Sequence, residues 1–203
     1  MEKFYFEEPT IERKKDALDY LQEHVNTKSA INGTGGLNRC LKGMSYEEWL
    51  INIINRKNIN HLENQDLVPE TTFFMIRESD NKIIGMVSIR HRLNDKLYRV
   101  GGHIGYGIRP SERGKGYSKI QLYLALIEAQ KIGLDRVMVN CLNTNEVSER
   151  TIKALGGISD GQEYDKEKDR IINVYWINVT ESIEKNFDKY FKYLLSKNNT
   201  NYK

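Results

Sequence analysis

Hydrophobic and polar positions in the first quarter of the chain follow a helical period. After Thr10, which can cap a helix, apolar residues recur at spacings of seven, three and four, and this predicts an amphipathic helix with a face made of Ile11, Leu18, Leu21 and Val25. The sequence Ser-Tyr-Glu-Glu at 45–48 has the form of a capping box and predicts a second helix that buries Trp49, Leu50, Ile53 and Ile54. The glycine-rich stretch 32–36 predicts a loop between them.

From residue 71 onward the pattern changes to short runs rich in β-branched and aromatic residues. Runs at 72–76 and 83–89 flank the dipeptide Asp80-Asn81 and predict a β-hairpin. A turn is predicted at Asn94-Asp95, and a further strand at 102–108 contains several glycines. Because glycine weakens the interior of a strand, its presence there indicates a bulge or the close approach of another backbone or a ligand.

Helices and strands alternate in the second half of the chain. The pattern predicts a helix at 118–132, a strand at 136–141, a helix between Asn145 and Gly156, and a strand at 171–177. The first of these helices has a broad apolar face, which is typical of a well-buried helix. An amphipathic helix follows from residue 180, with residues 198–201 frayed. Its apolar stripe consists of Ile183, Phe187, Tyr190 and Leu194. This stripe either packs on the sheet of the same chain or forms a homodimer contact, and the sequence leaves both alternatives open.

Composition and charge are those of a single ordinary domain. The 203 residues carry 31 Lys and Arg against 28 Asp and Glu, and the net charge of +3 is too small to indicate a nucleic-acid partner. Two cysteines, Cys40 and Cys141, do not resemble the framework of a disulfide-rich secreted protein. The sequence has no signal-peptide pattern and no apolar run long enough for a membrane span. We therefore expect a cytoplasmic protein with neither a nucleic-acid nor a membrane partner.

The segment 108–118 combines a strand end, a tight glycine turn and a helix start. The first N–H groups of a helix lack intrahelical partners, its N-terminus carries about half a positive charge, and glycine lets an anion approach the backbone, so the segment predicts a phosphate site. A dinucleotide fingerprint would need glycine in place of Lys119, and a P-loop would need Ser or Thr in place of Gly116. Both nucleotide motifs are therefore excluded.

The sequence Arg-Gly-Lys-Gly-Tyr-Ser at 113–118 resembles the Arg/Gln-x-x-Gly-x-Gly/Ala motif of the GCN5-related N-acetyltransferase (GNAT) family, with Ser118 as a small but non-consensus sixth residue. The resemblance continues upstream over 102–110 and downstream over Asn145-x-x-Ser148-x-x-x-Ile152, and it covers about 71–177. Within the family the chain is most similar to a poorly characterised bacterial group of predicted acetyltransferases with a Gly-Gly-His-Ile-Gly-Tyr strand.

The resemblance implies an α/β (α+β) fold, in which a mixed, twisted, mostly antiparallel sheet has splayed fourth and fifth strands and is flanked by helices. It implies a GNAT acetyltransferase domain at 1–179, followed by an appended C-terminal amphipathic helix and tail at 180–203. It also implies acetyl-CoA (coenzyme A) as cofactor, with the pantetheine arm between the splayed strands and the diphosphate on the glycine turn. The cofactor-binding residues that it implies are Ile108, Arg109, Arg113, Gly114, Lys115, Gly116, Tyr117, Ser118 and Asn145.

The reaction that the resemblance implies is the attack of an amine on a thioester. A lysine-like amine has a pKa of about 10.4 and needs about 4.6 kcal/mol to become neutral at pH 7, which calls for a general base or desolvation. His103 on the fourth strand is the candidate base, with a histidine packed on a strand face as the alternative. In many members of the family a tyrosine protonates the leaving thiolate of coenzyme A, and Ile152 stands in its position here. We therefore expect Ser148 to protonate the thiolate, with a hydroxyl that only caps a helix as the alternative. Tyr106 and Cys141 are weaker candidates.

These features predict an acyl-CoA-dependent N-acyltransferase that transfers acetyl from acetyl-CoA to a primary amine by direct attack in a ternary complex. The alternative is a non-catalytic acyl-CoA-binding sensor, because Ile152 stands in the tyrosine position. The acceptor is a small-molecule or peptide amine, bound by the N-terminal helices, the loop 32–36 and the last hairpin, which has its charged turn at 165–170 and ends in the strand at 171–177. The spacings of His91, His103 and the acidic residues match no metal site, so none is expected.

Overall fold

The computed structural model describes residues 1–58 and 67–195. Within these ranges it contains seven β-strands and six α-helices. The strands are β1 (Phe4–Glu7), β2 (Glu70–Arg77), β3 (Lys82–Arg90), β4 (Ile104–Ile108), β5 (Arg136–Leu142), β6 (Ile158–Asp165) and β7 (Arg170–Asn178). The helices are α1 (Lys14–Asn26), α2 (Tyr46–Arg56), α3 (Asp95–Val100), α4 (Tyr117–Lys131), α5 (Glu146–Ala154) and α6 (Val179–Tyr190).

The strands form two antiparallel sheets that meet where β4 begins. The first sheet has the order β1-β2-β3-β4 and the second the order β5-β7-β6. The backbone N–H of His103 donates to the carbonyl oxygen of Met138 at 2.7 Å, and the N–H of Met138 donates to Nδ1 of His103 at 2.9 Å. Beyond this point no ladder joins β4 to β5 in the described part of the chain. The expected splay of the fourth and fifth strands is therefore confirmed, together with the α/β fold.

Two hydrophobic cores cover the two faces of the first sheet. Residues alternate between the faces of a strand, but a β-bulge opposite Met75 and Ile76 shifts the alternation by one residue in β3. Ile84 and Val87 of β3 therefore both belong to the core beneath α4, whereas Ile83 and Met86 belong to the core beneath α1 and α2. Helix α4 is buried along most of its length, as its broad apolar face predicts. The faces of the sheet are thus both covered, and the cleft between the sheets is left as the place where a ligand can reach the backbone.

The predicted amphipathic helix is present and Leu21 is buried, but the rest of its predicted face is only partly right. Helix α1 begins at Lys14, whereas Ile11 lies in a preceding 3₁₀ turn, and Ile11 and Val25 are 47% and 41% exposed. Tyrosine and histidine have apolar bodies that pack against a core, and a pattern based on aliphatic residues alone does not include them. The buried residues lie at the i, i+3, i+4 and i+7 positions of one face and are Ala17, Tyr20, Leu21 and His24.

The second helix and the hairpin are confirmed. Ser45 and Glu48 form the capping box at the start of α2, and Trp49 and Ile53 are buried, although Ile54 is exposed. Strands β2 and β3 pair in antiparallel register across the expected turn. These two elements depend on signals within a few residues of each other, which a single sequence displays.

Three elements, α3, β1 and β6, were not predicted. Asn94, expected in a turn, caps α3 by accepting a hydrogen bond from the N–H of Leu97 at 3.0 Å. Strand β1 has four residues, too few for a pattern, and β6 is an outer strand whose side chains are nearly all exposed. Neither strand shows the alternation on which a prediction would depend.

Helix α6 packs on α4 and shares its core. Phe187 remains 37% exposed and stacks on Phe191, with ring centroids 4.4 Å apart. After the helix, the N–H of Leu195 donates to the carbonyl of Phe4 at 3.1 Å, so the chain lies along the outer edge of β1. A homodimer contact through this helix stays a prediction, and the frayed stretch expected at 198–201 lies outside the described residues. The buried members of the stripe are Ile183, Tyr190 and Leu194.

Candidate active site

A cleft of about 630 Å³ opens where β4 and β5 separate. It extends from the glycine turn before α4, along the end of β4, to the first turns of α5. Two residues expected at the cofactor, Arg109 and Lys115, do not line it. The expected residues that do line it are Ile108, Arg113, Gly114, Gly116, Tyr117, Ser118 and Asn145.

The glycine turn presents open backbone to this cleft. Gly114 and Gly116 have φ angles of +77° and +80°, in the left-handed region that favours glycine, and a Cβ on either would meet no atom within 4 Å. Gly116 is also the N-cap of α4, so the positive end of the helix dipole points here. Open space, unpaired helix N–H groups and a favourable dipole together fit the diphosphate of coenzyme A.

A buried carboxylate, which the sequence did not single out, holds the glycine turn. Glu112 is 4% exposed and accepts hydrogen bonds from Lys115 at 2.8 Å, Arg77 at 2.9 Å and Lys82 at 3.1 Å. Burial alone would raise the pKa of Glu112, but the bonds from these three cations outweigh it and lower the pKa to about 2. Lys115 therefore contacts the carboxylate beneath the turn.

Arg109 braces the end of β4 on the side away from the cleft. Its guanidinium is buried, where Nε donates to the carbonyl of Ile83 at 2.8 Å and Nη1 donates to Glu23 at 2.9 Å. Glu23 also accepts the backbone N–H of Ser111 at 2.7 Å. These bonds tie helix α1 to the residues just before the glycine turn.

The edge of β4 that faces the gap carries backbone hydrogen-bonding groups. The N–H of Arg109 donates to the carbonyl of Ile84, and the pairing register places residues 105, 107 and 109 toward β3. His103, at the junction of the sheets, accepts from Arg90 with its carbonyl and donates its N–H to Met138. The intervening residues, including Tyr106 and Ile108, therefore direct their backbone groups toward the gap. This is the edge that the pantetheine arm is expected to meet.

Two hydroxyl groups face each other across the gap. Oγ of Ser148, in the first turn of α5, lies 2.9 Å from the hydroxyl of Tyr106 on β4. Oδ1 of Asn145 accepts the N–H of Ser148 at 3.1 Å and so caps α5. Burial raises the pKa of Tyr106 to about 12, which keeps its hydroxyl protonated at neutral pH.

Ser118, the non-consensus residue of the motif, also has a partner on α5. Its Oγ lies 3.0 Å from Oγ1 of Thr151, which donates to the carbonyl of Val147 at 2.9 Å. A glycine or alanine at 118 would have no such bond. The serine thus joins the starts of α4 and α5, and Thr151 is a cleft residue that the sequence did not single out.

A second cleft, of about 440 Å³, opens toward the other end of the gap. Its walls include the loop around Asn32 and Gly33 and the connection of the last hairpin, two of the three segments expected to bind the acceptor. Helices α1 and α2 contribute no described residue to this lining. The residues that line both clefts are Ala30, Asn32, Tyr106, Asn145 and Ser148, so the clefts meet at the hydroxyl pair.

His103 lies at the closed end of the gap. Because its Nδ1 accepts the N–H of Met138, the proton of the neutral ring is on Nε2, and the ring lies edge-on to Trp176 with centroids 6.0 Å apart. Burial, with a smaller contribution from the positive charge of Arg90, lowers the pKa of His103 to about 4. The residue lines neither cleft.

The environments of Cys141 and His91 give neither residue a catalytic role in the structure. Burial raises the pKa of Cys141 to about 11, which disfavours the thiolate. Nε2 of His91 lies 2.9 Å from Oγ1 of Thr71. Among residues 1–58 and 67–195, no three His, Cys, Asp or Glu side chains are grouped as a metal ion would need. In the same ranges, no helix has both the length and the apolar surface to cross a membrane.

The chain is similar to known proteins in its family and in its fold. The family model described as the acetyltransferase (GNAT) domain matches residues 11–158, more than half of the chain. No curated protein matches the chain significantly. The family match contains both the glycine turn and the hydroxyl pair.

Solved acetyltransferase structures share the fold at low sequence identity. The ribosomal-protein-S5-alanine acetyltransferase of Vibrio fischeri is 18% identical with a TM-score of 0.63, over 88% of this chain and 94% of that one. RimJ of Mycobacterium smegmatis, in complex with CoA-disulfide, is 16% identical with a TM-score of 0.61, over 91% and 88%. A chimera of the Vibrio cholerae spermidine N-acetyltransferase SpeG and hSSAT is 13% identical with a TM-score of 0.58, over 90% and 99%.

Proposed function

Since the chain belongs to the GNAT acetyltransferases, it is an acyl-CoA-dependent N-acetyltransferase, and we propose that its transfer step takes place at the hydroxyl pair of Tyr106 and Ser148. Acetyl-CoA is the cofactor, and the acceptor is an amine. The observation that carries the proposal is that this pair lines both clefts, so a thioester held in one and an amine held in the other would meet there. No observation favours the sensor alternative.

We propose that the backbone of the glycine turn holds the diphosphate. Gly114 and Gly116 leave the space open, and the N-terminus of α4 supplies N–H groups and positive potential. In this proposal Lys115 and Arg109 support the turn and the strand end, since Glu112 and Glu23 hold their charged groups. The pantetheine amides pair with the edge of β4 at Tyr106 and with the N–H of Ile108, because Nε of Arg113 already donates to the carbonyl of Ile108 at 3.1 Å.

Ser148 is the proposed acid, and Tyr106 is its positioning partner. The attacking nitrogen forms the new bond to carbon and the bond between carbon and sulfur breaks. Ser148 donates its hydroxyl proton to the sulfur and takes back the proton that the nitrogen loses, so the step balances. A thiol like that of cysteine has a pKa of about 8.5, so its thiolate leaves readily and one hydroxyl donor suffices. Tyr106, whose pKa is raised to about 12, keeps its proton and orients Oγ of Ser148.

The acceptor has to arrive as a neutral amine. Neither cleft is lined by a described histidine, and the three carboxylates in their linings are paired: Glu112 with its cations, Asp165 with Arg170 at 2.9 Å and Glu167 with Lys96 at 2.6 Å. We therefore propose that water takes the proton that the ammonium form of the acceptor loses before the attack, and that nearby positive charges favour the neutral form of the amine. His103 would then fix the closed end of the gap instead of acting as the base.

The experiment measures cofactor binding and thiol release separately. Purified protein is titrated with acetyl-CoA by calorimetry, and coenzyme A release is followed with a panel of amines. Binding with amine-dependent thiol release is expected. Absence of binding at millimolar acetyl-CoA would refute the cofactor site, and binding without thiol release for any amine would favour the sensor. The cytoplasmic location and the homodimer stay predictions.

A further inference from the structure

Asn32 lies in the loop after α1 and lines both clefts, as the hydroxyl pair of Tyr106 and Ser148 does. Its side chain is exposed, and its carboxamide makes no hydrogen bond to a described residue. The accepting oxygen and the donating nitrogen of the carboxamide are therefore both accessible to a molecule held in either cleft. A polar side chain in this place can contact the acceptor at the point where it meets the thioester.

The other residues that line both clefts offer fewer polar atoms to an amine. Tyr106 and Ser148 bond to each other at 2.9 Å, and Oδ1 of Asn145 accepts the N–H of Ser148 at 3.1 Å. Ala30 has no polar side chain. Within the described residues, Asn32 is thus the member of this set whose side-chain oxygen is not engaged.

The loop holds the backbone of Asn32 in place because it lies directly against β4. Gly33 has a φ of +68°, and a Cβ there would lie 2.5 Å from the carbonyl oxygen of Gly105 and 2.6 Å from Cα of Tyr106. A Cβ on Gly107 would lie 3.1 Å from the carbonyl oxygen of Asn32. At these glycines no side chain separates the loop from the strand, so the glycines of β4 reflect the close approach of another backbone. Asn32 therefore has a fixed position relative to the hydroxyl pair.

Attack on the thioester needs an amine that is oriented as well as neutral. A neutral primary amine has two N–H groups and one lone pair, and it reacts only when the lone pair points at the carbonyl carbon. An oxygen that accepts one N–H fixes this direction, and the bond strengthens as the nitrogen gains positive charge in the transition state. Because the described carboxylates of both linings are paired, the uncommitted carboxamide oxygen suits this contact.

We propose that Asn32 orients the attacking amine, and this inference rests on the proposed function. Oδ1 of Asn32 accepts one N–H of the acceptor, and the second N–H supplies the proton that Ser148 takes back. The new bond joins the nitrogen to the carbonyl carbon, the bond between carbon and sulfur breaks, and Asn32 exchanges no proton, because a carboxamide does not titrate. The contact involves only the amine group, so it is expected for any primary amine that the second cleft admits.

Substitution of the side chain at residue 32 tests this contact. Coenzyme A release is followed with spermidine, alaninamide and N-acetyl-lysinamide, and the amine that releases thiol fastest is used for every variant. Asn32→Ala is expected to lower kcat/KM per neutral amine at least about tenfold, the loss of one charge-assisted hydrogen bond, and to keep the Kd for acetyl-CoA. Asn32→Asp keeps an accepting oxygen and is expected to be faster than Asn32→Ala. Asn38→Ala is the matched control, since Asn38 is exposed and lines neither cleft, and it is expected to change neither quantity.

Two results would overturn the proposal. Wild-type kcat/KM in Asn32→Ala would mean that the side chain does not contact the amine, and a slower rate in Asn32→Asp than in Asn32→Ala would assign the role to Nδ2. The Asn32 variants are expected to keep the wild-type Tm, because the exposed side chain has no described partner to lose, so lost activity is separable from lost folding. If acetyl-CoA binds but none of the three amines releases thiol, the proposed function fails and this inference fails with it.

Displacement of the loop tests whether β4 holds Asn32 in position. Gly33→Ala places a methyl group 2.5 Å from the carbonyl oxygen of Gly105, so the loop has to move. We expect this variant to lose as much kcat/KM as Asn32→Ala and the double variant to be no slower, because a displaced Asn32 has no contact left to lose. Gly43→Ala is the control, with a φ of +100° and no atom within 4 Å of a Cβ, and it is expected to keep kcat/KM. Losses that add in the double variant would overturn positioning by the loop, and the Asn32 variants carry the test alone if Gly33→Ala does not fold.

Discussion

Replacing Gly116 with alanine tests whether the backbone before α4 binds the diphosphate. Gly116 has a φ of +80°, and a Cβ there would meet no protein atom within 4 Å. The methyl group therefore projects into the open cleft, where the proposed ligand would approach. Gly133 is a matched control, because it follows the other end of α4, has a φ of +81° and also has no atom within 4 Å of a Cβ.

The two variants are expected to lose similar amounts of folding stability but to differ in their affinity for acetyl-CoA. A non-glycine residue in the left-handed region costs about 1–2 kcal/mol, so both are expected to lower the free energy of unfolding by about this amount. Only Gly116→Ala would also disturb charge-assisted hydrogen bonds to the ligand, each contributing about 1.5–3 kcal/mol. At about 1.4 kcal/mol per tenfold, loss of one such bond weakens the Kd by about 10- to 150-fold.

Calorimetric titration with acetyl-CoA and urea unfolding measure the two quantities independently. We expect Gly133→Ala to keep the wild-type Kd and Gly116→Ala to weaken it, with similar losses of stability in both. Gly116→Glu adds a negative charge and is expected to abolish binding. If Gly116→Ala and Gly133→Ala had the same Kd for acetyl-CoA, the backbone cradle would not be the diphosphate site.

Three further predictions concern side chains around the gap. Ser148→Ala is expected to lower kcat at least about tenfold and to change the Kd for acetyl-CoA less than about twofold, whereas the surface variant Ser79→Ala changes neither; unchanged single-turnover rates would remove Ser148 from the mechanism. His103→Gln, whose side-chain oxygen can still accept the N–H of Met138, is expected to keep the shape of the pH–rate profile, and loss of the acidic limb would identify His103 as the base. Glu112→Gln is expected to lower the free energy of unfolding by about 3 kcal/mol at pH 7, because Arg77 loses a buried anionic partner. The pKa of Glu112 is lowered to about 2 from 4.5, so its contribution is complete above pH 4.5 and is lost toward pH 2; a constant stability difference over that range would contradict this account.

Local signals in the sequence were sufficient for much of the fold and for half of the site. The capping box at Ser45 and the glycine turn at 113–118 depend on residues that are close along the chain, and the structure has both. Edge strand β6 was not predicted because its side chains face solvent and carry no apolar alternation. The face of α1 was assigned wrongly because Tyr20 and His24 supply its core contacts.

Contacts between distant positions decided the rest of the site. Arg109 is held by Glu23, 86 residues earlier in the chain, and a single sequence shows the charge of an arginine but not its partner. Glu112 is likewise set between Arg77 and Lys82 from the first hairpin. Asn140 is the opposite case, because its buried carboxamide has no hydrogen-bond partner among the described residues. Each of these residues became interpretable only once the neighbours of its side chain were known.

In the proposed mechanism, the hydroxyl pair allows the reaction to proceed with isoleucine in the family's tyrosine position. Ile152 is fully buried, and a Cβ on Gly157 would lie 2.4 Å from its Cγ2, so this position is committed to the core. One turn earlier on the same face, Ser148 reaches the gap, where Tyr106 from β4 meets it at 2.9 Å. Because the two hydroxyls come from opposite sides of the gap, the width of the gap sets their distance. We therefore expect His103, which joins the two sheets where the gap begins, to affect the chemistry through that distance without touching the reacting atoms.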